Sequence, residues 1–219
     1  NYFSYAYPEP EGDRPFSVSS EVGAAPWAPQ HRLLKLGLKG KHVTPAEVPG
    51  TNLVFLIDTS GSMNDENKLP LLKQAFALLV QQLDAIDRVS IVAYAGSAGV
   101  VLPPTPGDQR GAIVGALDRL EAGGSTNGGE GIQLAYKLAA EGFVKGGINR
   151  VVLATDGDFN VGVTSQSDLI DLVEQKAKTG VFVSVLGFGS GNYNDSTMEK
   201  LADKGNGNYA YIDTLNEAK

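Results

Sequence analysis

Asp58, Ser60 and Ser62 stand at alternating positions where the apolar run NLVFLI ends, in the stretch FLIDTSGSM over residues 55–63. A loop leaving a strand can turn residues at i, i+2 and i+4 toward one point. One carboxylate and two hydroxyls make a hard-oxygen set, which suits Mg2+, Mn2+ or Ca2+ and suits Zn2+ or copper poorly. Mg2+ wants an octahedron of oxygens, and protein side chains alone rarely provide all of it. Further ligands should therefore come from neighbouring loops, water or a partner. Two other stretches offer them. GGSTNGGEG carries Thr126 on a glycine-rich loop, and ATDGD carries Asp156 at the end of a second apolar run.

Composition limits the other chemistries. The chain has 219 residues, no cysteine and two histidines. Without cysteine there are no disulfides, thiolate metal sites or cysteine nucleophiles. His31 and His42 lie among residues 1–50, beside basic residues and away from the oxygen-bearing loops, so no histidine acid–base site is expected. Net charge is −7, from 18 basic and 25 acidic residues, with no lysine or arginine run. This argues against nucleic acid as a partner, since phosphate binding needs a concentrated basic face. No stretch approaches a transmembrane span. The chain begins at Asn1 without methionine, and both ends read as cuts.

The elements that must position these residues can be read from periodicity. Residues 1–50 are rich in Tyr, Pro and Gly and contain two strand-like runs, 16–22 and 32–40. In the second, Leu34, Leu36 and Leu38 alternate with Lys35, Gly37 and Lys39. This predicts a short β arm whose apolar face needs cover from elsewhere. Trp27, between prolines, reads as a local packing anchor. From Thr51 the pattern becomes alternating strand and helix. Strands are expected at 52–58, 87–95, 99–105, 149–158, 181–189 and 207–212, with the second and third forming a hairpin. Helices are expected at 68–86, 107–120, 128–143, 165–180 and 194–205. The first has apolar residues at helical spacing, Leu72, Phe76, Leu79 and Leu83; the fourth opens on a Ser cap and closes on Gly180. Continuous apolar strands alternating with helices mean an α/β fold, an open, mostly parallel sheet covered on both faces. Such sheets bind ligands at the carboxyl ends of their strands, where strand order reverses. Asp58 and Asp156 sit at two of those ends.

Asp-x-Ser-x-Ser at 58–62, a lone Thr126 after a glycine loop and Asp-Gly at 156–157 after an apolar strand together resemble a von Willebrand factor type A domain with its metal-ion-dependent adhesion site. The resemblance covers about residues 51–219. It implies a doubly wound sheet of six strands with one short antiparallel strand, preceded by the β arm at 1–50. By resemblance, Ser60, Ser62 and Thr126 hold a divalent cation through hydroxyls, Mg2+ above Mn2+ or Ca2+. Asp58 and Asp156 act through bound water or by orienting those hydroxyls. The implied function is a protein-binding module for adhesion or assembly, not an enzyme, whose ion is completed by an Asp or Glu of a protein partner. Residues 1–50 resemble the leader of A domains in bacterial envelope proteins, which implies an envelope or secreted location.

Competing readings exist for each motif. The 58–62 stretch could cap the following helix, as Asn64 and Asp65 are expected to do. GGSTNGGEG could bind an anion, but it lacks the Gly-Lys-Ser/Thr ending of a nucleotide loop. Its glycines are expected to give Thr126 backbone freedom. Asp156, Asp158 and Asn160 alternate as in a calcium loop, yet Val161 and Ser167 occupy the positions that need glycine and an acid. NDS at 194–196 matches a glycosylation acceptor by chance. The alternative function is a Mg2+-dependent phosphoryl-transfer enzyme with Asp58 as nucleophile and Asp156 as metal ligand. Ser60 stands where such enzymes carry a second aspartate, and Lys145 and Lys178 are the lysines considered for the phosphoryl oxygens.

Overall fold

The computed structural model describes residues 5–42, 49–157, 166–189 and 195–218. The chain divides into two units, 1–48 and 49–219. In the first, β1 (Phe16–Ala24) and β2 (Arg32–Gly40) pair antiparallel, with Val18 opposite Leu38 and Val22 opposite Leu34. This register gathers Phe16, Val18, Val22, Leu34, Leu36 and Leu38 on one face, and all of them are exposed. On the other face Lys35 pairs with Glu21 at 3.3 Å and lies over the Tyr5 ring. Trp27 is 76% exposed, so it is not the buried packing anchor that the sequence suggested. A two-stranded ribbon has no second layer to receive an indole. The connection is held instead by backbone bonds from Ala28 to Ala25 and from His31 to Ala28.

The second unit contains β3 (Thr51–Asp58), α1 (Leu69–Val80), β4 (Arg88–Tyr94), β5 (Ala98–Pro106), α2 (Arg110–Asp118) and α3 (Gly128–Glu141). It continues through β6 (Ile148–Thr155), α4 (Gln166–Lys178), β7 (Val181–Phe188), α5 (Asp195–Lys204) and β8 (Tyr209–Ile212). The strands form one six-stranded sheet in the order β5-β4-β3-β6-β7-β8, parallel throughout except for β5. This is the mostly parallel, doubly wound α/β sheet that the sequence implied. The expected Ser cap of α4, at Ser165, lies outside the described residues, as do Asp158, Asn160 and Asn194. Gly180, after α4, has φ of +88°, the left-handed conformation of a helix C-terminal stop.

Successive residues of β3 face opposite sides of the sheet. Phe55 and Ile57 pack with Leu72 and Phe76 of α1 and Ile113 and Leu117 of α2. Val54 and Leu56 pack with Ile132 and Ala135 of α3 and Leu169 and Val173 of α4. Both faces are covered, so the strand reads as a continuous apolar run.

The helix expected over 68–86 is shorter. It ends at Val80, and the next residues turn through tighter bonds from Gln81 to Leu78 and from Gln82 to Leu79. The chain is drawn back by Asp87, whose carboxylate accepts the Asp84 N–H at 2.8 Å and the Thr51 hydroxyl at 2.7 Å. Leu83 is still buried, but from a turn, whereas Leu79 is exposed. Asn64 and Asp65 do not cap α1. Lys68 holds the cap position and makes no side-chain cap bond, and Pro70 occupies the first turn.

Gly131 sets how closely α3 approaches the sheet. A Cβ there would lie 3.0 Å from Tyr94 Cβ and 3.1 Å from Leu56 Cδ1. Gly131→Ala is expected to push α3 off β3 and β4 and cost about 1–3 kcal/mol. In a chain of this size that lowers the melting temperature by roughly 2–4 °C per kcal/mol, measurable by thermal denaturation followed by circular dichroism.

Candidate metal-ion site

From β3 the chain proceeds to β4 on one side, while β6 lies on the other, so strand order reverses between β3 and β6. Their carboxyl ends open the crevice where open α/β sheets bind ligands. Asp58 ends β3, and Asp156 follows β6 directly. Parallel pairing of Ile57 with Ala154 brings both to the same edge.

Asp58 is fully buried. Its Oδ1 accepts the Ser60 N–H at 2.9 Å, and its Oδ2 accepts the Thr155 hydroxyl at 3.0 Å and the Tyr94 hydroxyl at 3.2 Å. Desolvation raises the Asp58 pKa above the usual carboxylate value, and hydrogen bonds from Ser60 and Thr155 offset only part of that. Burial, with the charge of Asp58 beside it, holds the Tyr94 hydroxyl well above its ordinary pKa, so it remains a donor. These contacts hold the carboxylate in place and engage both of its oxygens. They also count against Asp58 as a nucleophile, because both oxygens are engaged and neither is open to an electrophile.

Beyond Asp58 the chain makes a 3-10 turn, Gly61–Asn64, with no side-chain cap bond at Ser60. The serines therefore do not serve as caps. Ser60 Oγ and Ser62 Oγ lie 3.0 Å apart. Adjacent ligands of an octahedral Mg2+ at ~2.1 Å are themselves ~3.0 Å apart, so the two hydroxyls are spaced as such a pair would be. Ser60 is buried and Ser62 is exposed, which points the pair outward from the sheet edge.

The third loop is stitched to the first by its backbone. Gly61 N–H donates to Gly124 O at 3.1 Å, and Gly123 N–H donates to Thr59 O at 2.8 Å. Gly124 has φ of +83°, which supplies the reversal that sends the chain on to Thr126. Thr126 is half-buried, two residues before α3 begins. Only Gly124 serves the loop as expected; Gly128, Gly129 and Gly131 are buried within α3.

Lys68 joins the remaining pieces, and no motif announced it. Its ammonium donates to Asp156 Oδ2 at 3.0 Å and to Ser62 O at 2.8 Å, and it lies 3.4 Å from Asp65 Oδ2. Burial lowers its pKa, but the hydrogen bonds and charges of Asp156 and Asp65 outweigh that and leave it raised. Thr155 and Tyr94 also went unread in the sequence. Thr155 had one available signal, its position beside Asp156 at the strand end. Lys178 instead pairs with Glu174 at 3.3 Å on α4. Among the described residues no group of three or more His, Cys, Asp or Glu side chains could hold a metal. Neutral hydroxyls with a carboxylate behind them fit a hard divalent cation with positions left for other ligands.

The model of the von Willebrand factor type A domain matches residues 52–219. The chain belongs to the von Willebrand factor type A domain family. Ahead of this A domain, residues 1–35 match a second family model, described as von Willebrand factor. The uncharacterized protein YfbK of Escherichia coli K12 is 48% identical over 205 residues, covering 94% of this chain and 36% of that protein. The chain thus spans about a third of that relative's length. Among solved structures, a von Willebrand factor type A protein from Catenulispora acidiphila superposes with a TM-score of 0.65 at 22% identity, over 93% of this chain and 47% of that one. Proximal thread matrix protein 1 from mussel byssus, solved with a zinc-occupied MIDAS motif, gives a TM-score of 0.60 at 22% identity, over 76% and 42%. These two likenesses establish the A-domain fold. Among the described residues no helix is long and apolar enough to cross a membrane.

Proposed function

We propose that this A domain binds a divalent cation, Mg2+ under cellular conditions, and uses it to capture a carboxylate of a protein partner. The observation that carries the proposal is the 3.0 Å Ser60–Ser62 hydroxyl pair at the switch crevice, backed by the Asp58 and Asp156 carboxylates. A hard cation bound mainly through neutral ligands remains a strong acceptor for an Asp or Glu side chain. In this reading Ser60, Ser62 and Thr126 supply the hydroxyl ligands. Asp58 orients the serine loop through the Ser60 N–H, and Asp156 supplies the second negative charge. Tyr94 and Thr155 hold Asp58 in place, as outer partners do in metal sites generally. A binding module fits better than a phosphoryl-transfer enzyme, because Asp58 is sealed. A bacterial envelope or secreted setting accords with the adhesion or assembly role.

The test is calorimetric titration of Mg2+, Mn2+, Ca2+ and Zn2+ into the chain and into a Ser60→Ala/Thr126→Ala variant. The parent should bind Mg2+ and Mn2+, and the variant should lose at least tenfold in affinity, in keeping with typical losses at metal shells, while keeping its circular dichroism spectrum. Equal binding by parent and variant would refute the assignment.

A further inference from the structure

Lys68 crosses the carboxyl edge of the sheet. Its stem passes over Gly189, just beyond β7, where any Cβ would lie 2.9 Å from Lys68 Cε and 3.1 Å from Cγ. Gly189 has φ of +106°, a conformation that suits glycine and leaves the track of the lysine clear. The ammonium then reaches Asp156 Oδ2 and Ser62 O, so it spans two of the three loops of the candidate site. The Lys68 side chain is 17% exposed and that of Asp156 only 3%, whereas Asp65, the other acid in reach, is 71% exposed and solvated. The charge that matters at low dielectric is therefore the one shared with Asp156.

We propose that Lys68 is a built-in counter-cation of the ion site: it weakens the hold on a divalent cation and, once the cation is bound, strengthens the hold on one incoming carboxylate. The inference rests on the ion-site reading above. Asp58 and Asp156 together cancel a divalent charge. The ammonium leaves the loaded site with a single net positive charge, which one partner carboxylate neutralises. Without Lys68 the loaded site would be neutral, and a carboxylate would bring it to net negative. The same ammonium repels the arriving cation and occupies one oxygen of Asp156. Lys68 thus trades ion affinity for ligand affinity and favours partners that present a single Asp or Glu. In the ion-free protein it also places a positive charge beside the buried Asp156 carboxylate.

The test uses Lys68→Met, which keeps the apolar stem over Gly189 and removes the charge, and Lys68→Arg, which keeps the charge. Mn2+ affinity is measured by electron paramagnetic resonance. Acetate binding to each Mn2+-loaded protein is measured by carboxylate relaxation in NMR. Lys68→Met should bind Mn2+ roughly tenfold more tightly and acetate several-fold more weakly, with Lys68→Arg close to the parent in both. Mn2+ binding by the parent with no change in Lys68→Met, or weaker binding in it, overturns the role of Lys68 and leaves the ion site standing. Unchanged acetate binding overturns the ligand half of the trade. Failure of parent and variants alike to bind Mn2+ overturns both readings. Should Lys68→Met unfold, Lys68→Gln supplies the same comparison.

Discussion

Asp58→Asn is expected to raise the melting temperature of the ion-free protein and at the same time abolish its cation binding. A carboxylate that is fully buried, with its charge opposed by desolvation, is retained at a cost to the fold. Asparagine fits the same contacts. Its carbonyl can accept the Ser60 N–H, and its amide can donate to Thr155 or Tyr94, whose hydroxyls accept as well as donate. The gain should be on the order of 1 kcal/mol, or roughly 2–4 °C. The sign follows from linkage. The folded pKa of Asp58 lies above its unfolded value, so the native state binds the extra proton in the interval between them. In chelator, the contribution of Asp58 to stability is most favourable below the unfolded pKa. It declines as pH rises through the interval, and the full penalty persists above the folded pKa. Asp58→Asn should lose that slope. Thermal denaturation across acid to neutral pH, with and without Mn2+, checks both parts. A variant that is less stable in chelator, or that still binds Mn2+, contradicts the account.

Gly207→Ala is expected to be the most damaging single methyl among the described glycines of the second unit. A Cβ at Gly207 would run into the backbone carbonyl of Val183 in β7, which no rotamer change can relieve. The turn that holds Gly207 closes α5. Gly207 N–H donates to Ala202 O at 2.9 Å, five residues back, with Asn206 left-handed at φ of 52°. It also seats β8, through Asn208 N–H to Ser184 Oγ at 3.1 Å and Val185 N–H to Asn208 O at 2.9 Å. The loss should be on the order of 4 kcal/mol or more, a fall of roughly 10 °C. Hydrogen exchange should quicken first over 205–212. Because β7 and β8 lie beyond β6, Mn2+ affinity at low temperature should stay within about twofold of the parent. Loss of ion affinity in a folded Gly207→Ala protein would show that the sheet edge and the site are coupled.

The architecture was legible because its signals are local. β3, β6 and β7 are apolar runs bounded by turns, and a strand covered on both faces must read that way. The alternation of Leu34, Leu36 and Leu38 identified β2 equally well. Where the reading failed, a distant group had intervened. α1 stops at Val80 although its periodicity runs on to Leu83, because Asp87 ties the chain to Thr51. Trp27 looked like an anchor because its flanking prolines are a local signal, whereas its exposure is decided by tertiary structure.

The same division runs through the site. By itself the sequence determined which oxygens leave the strand together, since Asp58, Ser60 and Ser62 follow one strand end, and their types are the ground for the hard cation proposed above. Only tertiary structure decided what those groups are worth. Strand register set Thr155 and Tyr94 against Asp58 and so buried and bonded its carboxylate. Lys68 meets Asp156 across 88 residues of chain, through a crossover that no periodicity specifies. Spacing along a strand fixes which oxygens arrive together. The charge around them comes from elements that meet only when the sheet is assembled.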